Sequence, residues 1–305
     1  MSKSAKKQSS DDANGRLPVQ KTYKLYVGGK FPRTESGRYY NPEVKGKPLG
    51  NISQASRKDV RDAVVAARAA QSGWAGRTAY NRGQILYRIG EMLEGRAEQF
   101  VAELELQGLT HKQAQAEIIA SIDRLIYYAG WCDKYQQIFS SVNPVASSHF
   151  NFSLLEPTGV VFVVASESSP LLGLVSLVAP VVAGGNSCIV LASESKPLSA
   201  ITFGEVLHSS DVPGGVVNIL TGNKDELAEH VARHLDINSV AYDGDDSGFL
   251  KSLQEDSVSN VKRVRHYHRD WKRDDSASPY LINDFCEIKT TWHPIEQIGA
   301  SGSGY

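Results

Sequence analysis

The sequence predicts an α/β protein: a doubly wound parallel sheet, preceded by N-terminal helices and joined to a small β element. Three observations carry this. After Pro144, strand-length apolar runs alternate with helical segments. The runs at 159–165 and 187–192 are nearly continuously apolar, as strands covered on both faces are. Before Pro144, three long stretches place apolar residues at helical spacing.

The elements follow in chain order. Residues 1–20 are polar and mixed in charge, with no apolar core, so they read as a disordered tail and not as a signal peptide. YKLYVGGKFPR, 23–33, reads as a hairpin turning at Gly28-Gly29. From Arg57 an Ala-rich amphipathic helix begins, with Ser56 or Asp59 near its start. Residues 81–106 read as a second helix, with Ile85, Leu86, Ile89, Met92 and Leu93 on one face. Residues 112–139 read as a third, with Ile118, Ile122, Leu125, Ile126 and Ala129 in register. Tyr127, Tyr128 and Trp131 read as packing residues. Residues 149–156 alternate like an exposed strand. Strands at 159–165, 187–192, 216–222 and 239–244 then alternate with helices at 170–183, 197–208 and 225–234. No internal repeat is present.

The bulk numbers bound the function. At 305 residues the chain is long enough for about two domains. A formal net charge of −1 favours neither nucleic acid nor an acidic membrane. Cys132, Cys188 and Cys286 are far apart and form no metal or disulfide spacing, which fits a reducing, cytoplasmic location. The uncharged stretch 168–193 is broken by Pro170, Pro180 and Gly184-Gly185-Asn186, so it reads as buried helix plus strand and not as a membrane span. KRVRHYHRDWKRDDSASP, 262–279, mixes cations and aromatics, but the acids beside them make a solvated loop the simpler reading than a nucleic-acid surface. His266 and His268 alternate as in a strand and lack a third metal ligand.

In this order the segments resemble the aldehyde dehydrogenase superfamily from about Tyr23 to Val264. LYVGGKF resembles its opening hairpin and DVRDAVVAARAAQSGWAG its first helix. EPTGVV, APVVAGGNSCIVL, SKPLSA and DVPGGVVNILTG follow in family order. The tail DFCEIKTTW resembles the family's C-terminal arm. The resemblance implies a Rossmann-like cofactor domain over 21–265, with an oligomerisation hairpin at 141–156. An irregular linker at 266–280 and a C-terminal oligomerisation arm at 281–305 follow.

The family's chemistry uses a cysteine nucleophile, an oxyanion-holding asparagine, a glutamate base and a nicotinamide dinucleotide. On this chain the oxyanion position falls on Ser168, with Glu167 before it, and the base position falls on Tyr267. The nucleophile's Gly-Gln-x-Cys context is absent, and Cys286 is the only downstream cysteine. The family's ribose-binding lysine falls on Leu191, while its glutamate is retained as Glu194. Gly222, Gly244 and Gly248 fall on glycines of a vestigial cofactor site, but Asp243, Asp245 and Asp246 stand where pyrophosphate would bind. A like-charge pair about 4 Å apart costs about 4 kcal/mol near the surface, half the free energy of a micromolar binder. The expected cofactor is therefore none, or weakly held NAD(P). The resemblance implies a non-catalytic subunit or scaffold, a homo- or hetero-oligomer with an aldehyde dehydrogenase family subunit docked through 141–156 and 283–292. The alternatives are an NAD(P)-dependent aldehyde oxidoreductase using Cys286, or a small-molecule-binding module with Glu167, Glu194 and Asp243 as polar contacts.

Overall fold

A computed structural model describes residues 21–295; the expected tail at 1–20 and the arm's last residues, 296–305, lie outside them. Short strands β1 (Thr22–Tyr23), β2 (Tyr39–Tyr40), β3 (Glu43–Val44), β4 (Lys47–Pro48) and β5 (Asn51–Ser53) open the chain. The helices α1 (Arg57–Ala75), α2 (Ala79–Glu94), α3 (Ala97–Leu106), α4 (His111–Trp131) and α5 (Tyr135–Phe139) follow. Next come β6 (Ser141–Asn143), β7 (His149–Pro157), β8 (Val160–Val164), α6 (Leu172–Ala183), β9 (Ser187–Leu191) and α7 (Leu198–His208). The chain continues through β10 (Val217–Leu220), α8 (Lys224–Arg233), β11 (Ser239–Asp243), α9 (Ser247–Ser257) and β12 (Arg263–Tyr267). It closes with α10 (Tyr280–Asn283) and β13 (Cys286–Pro294).

The main sheet is wholly parallel, in the order β10-β9-β8-β11-β12. Alternation along β8 explains the double winding. Val160, Phe162 and Val164 pack with Val60, Val64, Leu227, Val231 and Phe249 of α1, α8 and α9. Val161 and Val163 belong to the core built with α2, α4, α6 and α7. Every residue of α6 is buried, so the uncharged run becomes a central helix. Among the described residues no helix is long and apolar enough to cross a membrane.

Ser56 is the N-cap of α1, in a capping box with Asp59. Asp59 also accepts from Thr34 Oγ1 at 2.8 Å and Glu35 N at 3.0 Å, tying the N-terminal strands to the helix. The expected hairpin turns at Gly28 and Gly29, both at positive φ, with Val27 and Lys30 bridged.

Three expectations are corrected. The single helix expected at 81–106 is two, because Gly95 caps α2 and the chain turns at Arg96 before α3. The stretch 112–139 likewise breaks after Trp131. The third correction concerns the solvated loop. Residues 263–267 form a fifth sheet strand, and Trp271, beyond it, is 1% exposed. Several of the cations here are engaged by the chain's own groups. Arg263 donates to the carbonyls of Asp284 and Cys286 and to Glu287, and Arg273 pairs with Asp275.

The segment 268–285 packs against α6 and the edge strand β12. Leu281, Ile282 and Phe285 are fully buried, and Tyr267 donates to Asp284 Oδ2 at 2.7 Å. From there β13 runs antiparallel to β7 over nine residue pairs, Cys286↔Pro157 to Pro294↔His149, and β6 pairs with β7 on the other side. The hairpin and the arm thus form one three-stranded sheet within the chain.

Candidate cofactor cleft

The strand order reverses between β8 and β11, and in such sheets the crevice beyond the strands' C-terminal ends is where ligands bind. A cavity of about 580 Å³ lies there, lined by the ends of β8, β9 and β11 and the loops that follow them. Val164, Leu191, Ala192 and Tyr242 give it apolar walls; Glu167, Glu194, Asp243, Asp245 and Asp246 give it carboxylates. Lys224, His268 and Arg269 supply the basic groups.

The loop after β8 is tightly held. Gly173 allows it to approach α6, since a Cβ there would lie 2.7 Å from that of Ser166. Buried Glu117 accepts from the N–H groups of Leu171 at 2.9 Å and Leu172 at 3.2 Å, so a side chain of α4 satisfies the start of α6. Ser168 is exposed, and its hydroxyl contacts that of Ser166 at 2.9 Å. Glu167 reaches across to the loop after β9. Its carboxylate accepts from Ser193 Oγ at 2.6 Å, Glu194 N at 2.7 Å, Ser195 Oγ at 2.5 Å and Ser195 N at 3.3 Å.

The other carboxylates are also engaged. Glu194 accepts from Asn223 Nδ2 at 3.1 and 3.2 Å, and Asn223 in turn caps α8. Asp246 caps α9 by accepting from Phe249 N at 2.9 Å and pairs with Lys224 at 2.8 Å. Asp245 contacts His268. Asp243 is buried and accepts from the Trp271 indole at 2.5 Å. Burial pushes its carboxyl above the usual carboxylate range, against the opposing effect of the Trp271 and Ser166 hydrogen bonds.

The raised value fixes a pH dependence. Between the unfolded carboxyl's value, about 3.9, and the higher folded one, the folded state keeps a proton that the unfolded state releases. Stability contributed by Asp243 is complete below that window and is lost as pH rises through it. Asp243→Asn still accepts from Trp271 but does not titrate. Urea midpoints from pH 4 to 8 should therefore fall less for the variant than for the parent; parallel curves would refute the assignment.

The expected site residues divide. Ser168, Glu194, Gly222 and Gly244 line the cavity. Gly244 is required there, because a Cβ would come 2.6 Å from Tyr242 Oη, which itself accepts from Asp246 N. Gly222, at φ 145°, is set by its approach to the backbone of Ala55. Gly248 lies in the first turn of α9 and is not among the lining residues. Tyr267 is buried against Asp284, and burial raises its phenol far beyond general-base use. Cys286 is also away from the cavity; its Sγ donates to Ile282 O at 3.3 Å, and burial pushes the thiol up to about 12. His266 Nε2 donates to Gly244 O at 2.7 Å and its ring stacks on Tyr242, while His268 meets Asp245, so the two histidines share no ligand.

Asn223, Lys224 and Trp271 are the contributors that sequence reasoning missed. The N-K-D-E capping pattern after β10 marked the first two. Trp271 sat in a charged run with no periodicity to flag it.

These residues do not fit a nicotinamide dinucleotide. Donors that a phosphate would use already carry resident carboxylates: Asp246 accepts from Phe249 N in the first turn of α9, and Glu167 accepts from the loop N–H groups of Glu194 and Ser195. The aspartates are thus not three bare like charges; two of them have cationic or basic partners and the third is buried.

Residues 31–266 match the aldehyde dehydrogenase family. The chain is 31% identical over 258 residues to the cytosolic 10-formyltetrahydrofolate dehydrogenase of Mus musculus, covering 82% of this chain and 28% of that protein. It is 31% identical over 246 residues to an aldehyde dehydrogenase of Aspergillus niger, covering 79% and 48%. Among solved structures, the NAD+ complex of the Bacillus cereus aldehyde dehydrogenase superposes with a TM-score of 0.76 at 25% identity, over 81% of this chain and 50% of that one. PnpE from Pseudomonas sp. WBC-3 superposes with 0.77 at 27% identity, over the same shares. The chain spans half or less of the length of these relatives. With its parallel sheet, its helices and these matches, it belongs to the aldehyde dehydrogenase family.

Proposed function

We propose that the chain is a non-catalytic subunit that pairs with a full-length aldehyde dehydrogenase family subunit through the β6–β7–β13 sheet. The observation that carries this is the arm. Nine residues of β13 pair with β7, yet among the described residues no strand pairs with the outer edge of β13 or of β6, and Val142, Phe150, Leu154, Ile288 and Trp292 are exposed. An open edge flanked by apolar side chains is a template for another chain. Loss of catalysis is the other half of the reading. Supporting it, the three cysteines are free and buried and do not line the cleft, and Tyr267, at the base position, is buried against Asp284 and does not line it either. Buried free thiols fit a reducing compartment, and we place the protein in the cytoplasm.

A second reading, a small-molecule-binding module, is favoured by one observation, the apolar-walled cavity itself. Steady-state assays of the purified chain with aliphatic and aromatic aldehydes should show no reduction of NAD+ or NADP+. Turnover that disappears on alkylating Cys286 would overturn the non-catalytic reading.

A further inference from the structure

The cleft's misfit to a dinucleotide has a specific source in two side chains. We infer that Glu167 and Asp246 are resident anions of the cleft, occupying the donor sites that an anionic ligand would use, so that the chain itself closes the site to anions. Each meets donors of a kind that bind phosphate. Asp246 holds the N-terminal amide of an 11-residue helix together with the Lys224 ammonium. Glu167 holds two successive backbone N–H groups and two serine hydroxyls of the loop after β9. Lys196 Nζ reaches the Glu167 carbonyl at 3.3 Å, adding a second tie between the same loops.

Occupancy differs from simple repulsion. A carboxylate already bonded to the donors must be displaced before a phosphate can reach them, and it rejoins as an intramolecular competitor at high effective concentration. The same bonds link the loop after β8 to the loop after β9, and the turn after β11 to α8 through Lys224. The cleft is therefore held together without a ligand, and ligands admitted between the apolar walls are those without a phosphate or carboxylate group. This inference rests on the cleft alone and is independent of subunit pairing.

Asp246→Ala frees Phe249 N and leaves Lys224 with Asp225 alone, whereas Asp246→Asn keeps an oxygen acceptor at Phe249 N while removing the charge. Calorimetry on the full chain with inorganic pyrophosphate, and circular dichroism to confirm folding, separates the cases. We expect no binding by the parent, no gain for Asp246→Asn, and at least a tenfold gain for Asp246→Ala that increases further in Glu167→Ala/Asp246→Ala. An equal gain for Asp246→Asn and Asp246→Ala would show that charge alone excludes anions. Pyrophosphate or NAD+ binding by the parent as tight as by the double variant would overturn the inference outright.

Discussion

Trp271→Ala should destabilise the protein by about 3–5 kcal/mol, the range for deleting a large buried side chain, read as a fall in the urea midpoint. The indole is 1% exposed, lies against Gly173 of α6, and packs near Tyr267 with ring centroids 6.2 Å apart. Its Nε1 donates to Asp243 Oδ2 at 2.5 Å, and its carbonyl accepts from Arg124 Nη2 at 3.0 Å. Alanine would leave both a void and a buried carboxyl without its donor. Trp271→Phe keeps most of the packing and should cost about 1–3 kcal/mol, the loss of the hydrogen bond to a buried group. If Trp271→Ala fell within about 1 kcal/mol of the parent, the segment 268–285 would not be packed against α6 and β12 as described above.

Ile288→Asp/Trp292→Asp should abolish pairing with a full-length aldehyde dehydrogenase family subunit while leaving the fold intact. Both residues stand on β13, 70% and 57% exposed. They contribute little to the core, so stability should change by about 0.5 kcal/mol or less per site. Two carboxylates buried at an interface would meet a desolvation cost that exposed ones do not. Native mass spectrometry and the thermal midpoint measured on one sample check both halves. Loss of the midpoint together with the pairing would show that the arm's face supports the fold instead of a partner.

Much of the fold is legible in the sequence because its signals are local. The apolar runs at 160–164 and 187–191 announce buried strands, and Ser56 with Asp59 announces the start of α1. The break at Gly95 is hidden because apolar spacing continues through Leu93 and Phe100, both buried. The edge strand β12 is hidden because Arg263 and Arg265 alternate with Val264 and read as a charged loop. Their partners, Asp284, Cys286 and Glu287, are remote in sequence. The site divides in the same way. That Glu167 and the aspartates bring carboxylates to the dinucleotide position follows from residue type alone. That Glu167 satisfies the 193–195 loop, and that Asp246 caps α9 while holding Lys224, depends on how the sheet brings those loops together.

The most direct test is the mass of the assembly formed when this chain is co-expressed with a full-length aldehyde dehydrogenase family protein from the same organism. Native mass spectrometry should show particles containing both chains in fixed ratio, and none with Ile288→Asp/Trp292→Asp. Separate species, with this chain alone as a monomer or only self-associated, would contradict the subunit reading.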